Sequence, residues 1–316
     1  MPAKHLRLIK ECVYRSSTEL GDLLASVGFA AHVLQLQGGP IQGRFDFLSG
    51  EQASLLRLQC NSAISVSYQR NPAVIALSLD IQGRPGVGCV HGQPLGSHVI
   101  AGVGQHLSHS FFQLSSDADI LIALLPKQSL FEQLNLLGGE QCVRWMQDHN
   151  QLLLDPAAHR ALAHQWLQWF CDPHGIPVYP ISSTIKWLND DTVKGSVPFR
   201  RVTRYQLVCD LIHMGASGAA EGLSLDQLAD QLSCSRRSLI QGCKELLGLG
   251  PKELLRVQRL EKVHQALLAS DSKAPGSRHS VTEIADRHGF QSRGHFAAAY
   301  RRQFGQLPMA TLKKRA

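Results

Sequence analysis

The chain contains no apolar run long enough to cross a membrane, no closely spaced cysteine pair, and few acids in its last third. A spanning helix needs roughly 18–20 uninterrupted apolar residues. The longest candidate here, Ile120-Leu-Ile-Ala-Leu-Leu-Pro126, is seven residues long and ends in proline, the signature of a buried strand. The opening residues MPAKHLRLIKECVYRS are polar or charged at nearly every third position and hold no signal-peptide core. Eight cysteines are scattered at 12, 60, 89, 142, 171, 209, 234 and 243, with no CxxC, so neither a zinc ribbon nor a thioredoxin-type site is encoded. Scattered cysteines in a chain of this length fit buried thiols in a reducing compartment, and a cytoplasmic location with no membrane partner is the expectation. G-x-S-x-G, the P-loop and the dinucleotide fingerprint are also missing. Gly83, Gly86 and Gly88 follow a hairpin pattern without a helix start, so they mark a turn and not a phosphate cradle.

What is present is 316 residues, 44% of them hydrophobic, enough for two cored domains. The net charge of +7 is unevenly spread. Residues 200–316 carry 19 Lys/Arg against 10 Asp/Glu, while residues 1–199 carry 13 against 15. A basic tail domain joined to a neutral one suits an anionic polymer as partner. From about 40 to 135 the pattern is short and β-like: Ile64–Tyr68, Val74–Leu79, His98–Ala101, Ser110–Leu114 and Asp119–Leu125, separated by turns. That series predicts a sandwich or small barrel. A helix is expected from Lys127 to about Leu137. Another should start at Asp155-Pro156 and run to Phe170, with Leu162, Trp166 and Trp169 on one side.

The second half repeats a helical grammar. Ser224 with Gln227 forms a capping box, Leu228, Ala229 and Leu232 supply an apolar face, and Ser235 is placed to cap a following helix on which Leu239 packs back. Ser280 with Glu283, Ile284, Ala285 and Gly289 repeat the pattern. Between the two, PKELLRVQRLEKVHQALLAS (Pro251 to Ser270) reads as a linker helix. Two short helices joined by a tight turn make a helix-turn-helix, whose second helix enters the major groove. Exposed polar residues near the start of such a helix read base edges. The base-reading candidates are therefore Ser235, Arg236, Arg237, Ser238 and Gln241 in the first unit, and Gln291, Ser292, Arg293 and His295 in the second. Lys244, Arg301 and Arg302 lie further along and suit phosphates. Two such readers would enter successive groove turns roughly 34 Å apart.

These residues resemble the AraC/XylS family of bacterial transcription regulators. The resemblance rests on Leu228-Ala229, Ser235-Arg-Arg-Ser-Leu239, Gly248-Leu-Gly-Pro251, Arg259-Leu260, Ile284-Ala285, Gly289-Phe290, His295-Phe296, Tyr300-Arg-Arg and Phe304-Gly-Gln-Leu-Pro308, across about 200–312. The closing segment to Leu312 is most similar to the subgroup containing the ethanolamine-utilisation regulator. Two departures stand out: Gln241 where an arginine is common, and Gly242 inside the first recognition helix. A glycine there costs roughly 1 kcal/mol against alanine. In the family a histidine at the position of His295 can pack against the scaffold.

The resemblance implies a sequence-specific DNA-binding regulator, not an enzyme, with promoter DNA as partner and RNA polymerase contacted from an exposed surface. It also implies an N-terminal, cupin-like barrel that binds a small-molecule effector or forms a homodimer. The fold class expected is thus α+β, a β-rich barrel domain followed by an all-α domain with two helix-turn-helix units. The expected boundaries are a sensing or dimerisation domain at 1–172, a connector at 173–199 and the DNA-binding domain at 200–316. No cofactor or metal is expected: His91, His98, His106 and His109 lack the closely spaced His-x-His and following Glu of a cupin metal site. The alternative is a cupin-type enzyme or small-molecule binding protein with an accessory DNA module. A repair methyltransferase is set aside, since neither clustered thiolates nor a Pro-Cys-His-Arg segment is present.

Overall fold

The computed structural model describes residues 7–50, 53–171, 180–189, 191–199, 204–270 and 280–313. The expected connector lies outside the described residues at 173–179 and 190. The β-rich half opens with β1 (Arg7–Tyr14), α1 (Ser17–Ser26), β2 (His32–Gln35), β3 (Gly43–Ser49), β4 (Ser54–Cys60), β5 (Ile64–Gln69) and β6 (Val74–Asp80). It continues with β7 (Gly88–Val90), β8 (Gln93–Pro94), β9 (Val99–Ala101), β10 (His109–Leu114) and β11 (Asp119–Pro126). Then come α2 (Lys127–Leu136), α3 (Glu140–Asp148), β12 (His149–Leu154), α4 (Pro156–Cys171), α5 (Pro180–Ile185) and β13 (Val193–Pro198).

These strands form two antiparallel sheets, one of eight strands in the order β1-β3-β4-β11-β6-β9-β12-β13 and one of five in the order β2-β5-β10-β7-β8. Both orders have free ends, so the single closed barrel expected from the sequence does not form; the strands make two facing open sheets. The run that read as a buried strand, β11, sits inside the larger sheet between β4 and β6. Its apolar residues pack on both sides, which is why it lacks a polar alternation. Leu121, Ala123 and Leu125 face the helices α2, α4 and α5 around fully buried Trp166, while Ile120 joins Phe45, Leu58, Ile64 and Val66 between the sheets.

The strands also extend beyond the 40–135 window, from β1 at one end to β13 at the other, and β13 adds an edge strand inside the expected connector. The helix at Asp155 starts as read, with Asp155 Oδ1 accepting from Ala157 N at 2.8 Å. The expectation of buried thiols is met at Cys60, Cys142 and Cys243, whereas Cys171, at the end of α4, is exposed.

The helical half comprises α6 (Tyr205–Ser217), α7 (Leu225–Gln231), α8 (Arg236–Leu247), α9 (Pro251–Ala269), α10 (Val281–Arg287), α11 (Arg293–Phe304) and α12 (Pro308–Lys313). No helix among the described residues is long and apolar enough to cross a membrane. Two clusters core this half, and α9 contributes to both: Leu254 and Val257 pack with α6, α7 and α8, and Leu260, Val263 and Leu267 pack with α10 and α11. Leu34 of β2 and Phe111 of β10 belong to the first of these clusters, so the five-stranded sheet is packed directly onto the helical half.

The glycine that looked like a defect in the first recognition helix has a packing reason. A Cβ on Gly242 would stand 2.9 Å from Arg204 Cβ and 3.2 Å from Val208 Cγ2, where α6 crosses α8. Gly294 in the second unit meets nothing within 4 Å. Gly242→Val is therefore expected to lower stability by about 1–3 kcal/mol through overpacking, read as a drop in melting temperature. Gly294→Ala should not lower it at all, since alanine improves helix propensity in open space.

Candidate nucleic-acid interface

The two helix-turn-helix units are built by the same local interactions. In the first, Gln227 N donates to Ser224 Oγ at 3.2 Å and Ser224 N to Gln227 Oε1 at 2.8 Å, closing the capping box of α7. In the second, Glu283 N donates to Ser280 Oγ at 3.1 Å and Ser280 N to Glu283 Oε2 at 2.8 Å. The turns match atom for atom. Cys234 N donates to Ala229 O at 2.9 Å, and Phe290 N to Ala285 O at 3.0 Å. Each turn passes through a left-handed residue, Ser233 at φ 50° and Gly289 at φ 78°. Serine carries the steric cost of that conformation that glycine avoids. Ala229 and Ala285 are both buried, as a close helix crossing requires.

The recognition helices then differ at their starts. Ser235 caps α8, accepting from Ser238 N at 3.0 Å while its hydroxyl donates to Ser238 Oγ at 2.9 Å. Ser292 stands at the same place on α11 but makes no side-chain capping bond. Arg236, Arg237, Gln241 and Lys244 are exposed on α8, with Ser238 half-buried. Arg236 Nη1 lies 3.5 Å from Asp226 Oδ1, an exposed pair worth little. Gln241 Nε2 donates to Glu245 Oε1 at 2.7 Å, and Glu245 in turn pairs with Arg204 at 3.0 Å. Arg237 makes no side-chain hydrogen bond or ion pair among the described residues.

On the second unit Gln291, Ser292, Arg293, His295, Arg301 and Arg302 are all exposed. His295 therefore does not pack against the scaffold. Gln291, Ser292, His295 and Arg302 border one open groove of about 460 Å³, and Arg256 and Arg259 of α9 border it too. Those two arginines escaped the sequence reading, which treated the linker helix only as a spacer. The signal was available in their helical spacing of three. Arg259 lies over the Phe290 ring at 5.3 Å, and Arg256 Nε donates to Glu253 at 2.9 Å.

Of the four histidines weighed as metal ligands, His91, His106 and His109 line one cavity and His98 lies apart from it. His91 is buried with Nδ1 2.9 Å from Tyr205 OH, and burial pushes its pKa down to about 3. His106 Nδ1 lies 3.0 Å from Gln147 O, and His98 is paired ring to ring with His159 at 5.3 Å. No group of three or more His, Cys, Asp or Glu among the described residues is placed to hold a metal ion.

With this geometry in view, residues 228–314 match the family model described as a helix-turn-helix domain. This segment is a helix-turn-helix domain, similar to parts of known operon regulators. It is 37% identical over 95 residues to the "Probable thc operon regulatory protein" of Rhodococcus erythropolis, covering 30% of this chain and 27% of that protein. It is 33% identical over 121 residues to the "XylDLEGF operon transcriptional activator" of Pseudomonas putida, covering 38% of this chain and 34% of that one. Among solved structures, a "probable AraC family transcriptional regulator" from Rhodopseudomonas palustris shares 27% identity at a TM-score of 0.31, over 34% of this chain and 96% of that one. The matches span about a third or less of the curated relatives' length, so they concern the helix-turn-helix domain and leave the β-rich half apart.

The helix-turn-helix domain is not free of that half. Ser17 Oγ on α1 donates to Glu261 Oε2 on α9 at 2.5 Å, both residues buried. Burial raises the Glu261 carboxyl to about 7, against the lowering effect of the Ser17 bond. A carboxyl held above its ordinary value of 4.5 is stabilising to the native state below that value, and the benefit fades as pH rises through about 7. Glu261→Gln should accordingly match the native protein near pH 5 and become the more stable of the two towards pH 8, by up to about 3 kcal/mol. Denaturant unfolding at several pH values measures this; a gap that does not widen with pH contradicts it.

Proposed function

We propose that this protein is a sequence-specific DNA-binding transcription regulator whose two helix-turn-helix units read promoter DNA. The observation that carries this reading is the pair of matched units, each presenting an exposed, base-competent first turn on its second helix within the basic part of the chain. Ser235, Arg236, Arg237, Ser238 and Gln241 read bases from α8, and Gln291, Ser292, Arg293 and His295 from α11. Gln241 must first leave Glu245. Lys244, Arg301 and Arg302 grip phosphates, fixing register without reading sequence.

In this reading residues 1–172 sense or dimerise, 173–199 connect and 200–316 bind DNA, with RNA polymerase met by an exposed face of the cytoplasmic protein. The two facing sheets stand in for a cupin-like sensing module. A cavity of about 50 Å³ between them, lined by Tyr68, Ser78, Phe112, Ile120 and His159, is the effector site this reading assigns. It favours a small occupant, and fully buried His159, whose ring nitrogens have no hydrogen-bond partner, supports a polar group at one end. The likeness of Phe304 to Leu312 to the ethanolamine-utilisation subgroup supports kinship but names no inducer. The protein is not assigned a catalytic activity.

Arg237→Ala is expected to lose affinity unevenly across single base changes in the bound duplex, by about 1–3 kcal/mol at the base it reads. Arg302→Ala should lose affinity evenly across sequences and flatten the dependence of log K on log salt by about one. Fluorescence anisotropy over a salt series distinguishes them; equal losses on specific and scrambled duplexes from both variants would overturn the assignment of readers.

A further inference from the structure

The two recognition helices end alike. Each closes on a left-handed glycine, Gly248 at φ 69° and Gly305 at φ 70°. The last carbonyls of any α-helix lack intrahelical partners and must find donors elsewhere. In both helices the carbonyl two residues before that glycine finds its donor in the β-rich half. Gln113 Nε2 on β10 donates to Leu246 O of α8, and the backbone N–H of Gly39, between β2 and β3, donates to Gln303 O of α11 at 3.0 Å.

The donors are unrelated: one is a side-chain amide in mid-strand, the other a main-chain amide in a loop. They nevertheless reach the equivalent atom of each reader, and each contact is reinforced. Gln113 Oε1 accepts from Cys89 Sγ at 3.0 Å, which orients its NH₂ towards α8. Phe111, two residues back on the same side of β10, packs on Tyr205 at 5.7 Å between ring centres. At the second contact Gln303 Nε2 donates to Gln35 O at 3.2 Å, and Gly38 is so close that a Cβ there would lie 2.7 Å from Arg302 O. Both contacts sit at the C-terminal ends of the helices, leaving their first turns uncovered.

We propose that the β-rich half is a brace that fixes the distance and rotation between the two recognition helices, with Gln113 and the Gly38–Pro40 segment as positioning residues. The proposal rests on the two-reader function above. Helix α9 packs on both readers as well, but a single helix resists twisting only through the side chains at each end. A pair of contacts from one sheet domain onto matched atoms adds a second, parallel connection. The consequence is a strict spacing requirement on DNA. One inserted base pair moves the second block by about 3.4 Å and turns it by about 35°, a displacement that a braced pair cannot follow.

The test uses the full chain and duplexes it selects from random DNA, then adds or removes one base pair between the two contacted blocks. The native protein is expected to lose about tenfold or more in affinity per base pair, of the order of one mismatched contact. Gln113→Met, which keeps the length but not the donor, and Gly38→Val, which clashes with the Arg302 carbonyl, should each lose less than about threefold. Both should bind a duplex carrying a single block like the native protein, and Gln113→Lys, which retains a donor, should restore the strict spacing. Native-like strictness in both variants would overturn the brace and assign spacing to α9 alone. Equal weakening on single-block and two-block duplexes would overturn it as well, by showing damage to the readers themselves. A native protein indifferent to spacing would also refute it, whereas failure to enrich any sequence would refute the DNA-reading function on which it rests.

Discussion

The whole candidate interface depends on one short hydrogen bond made twice, from the residue after a left-handed turn back to the carbonyl of a buried alanine. Cys234 to Ala229 and Phe290 to Ala285 set the angle at which α8 and α11 leave α7 and α10. A larger side chain at either alanine would part the helices, and a residue unable to take a positive φ at 233 or 289 would open the turn. Once the angle is fixed, which side chains face outward is fixed too. Arg237 is exposed because Leu239, two positions on, is buried on the opposite side of α8.

This part of the molecule was legible in the sequence because its determinants are local. Capping boxes, a small residue at a crossing and a glycine in a turn act within about one helical turn of each other, so spacing alone reveals them. The β-rich half was legible only where strands were apolar and bounded by turns, as at β5, β6, β10 and β11. Strand β1, at the edge of the larger sheet, escaped notice, and its pairing with β3 depends on residues about thirty to forty positions away. Barrel closure was likewise beyond reach, because it depends on which edges meet.

The contacts between the halves were invisible for the same reason. Nothing in the neighbourhood of Gln113 distinguishes it from a solvent-facing strand residue, and Gly39 reads as an ordinary loop glycine. Gly242 was visible but misjudged: its propensity cost is local, while its benefit lies in the distant residues Arg204 and Val208. Arg256 and Arg259 show the converse, a pair whose spacing was plain and whose neighbours on α11 were not.

Charge completes the picture. The basic excess lies wholly in the helical part; exposed arginines sit on α8 and α11, and half-buried Arg256 and Arg259 border the groove between α9 and the second unit. The described contacts between the halves are made mostly through amides, hydroxyls and apolar side chains. Selection of bound duplexes from random DNA by the full-length protein, followed by a salt titration of the winners, tests the central claim most directly. The account requires an enriched motif with two contacted blocks about one helical turn apart. A steep salt dependence with no enriched motif would contradict it, reducing the helical half to a phosphate grip without readout.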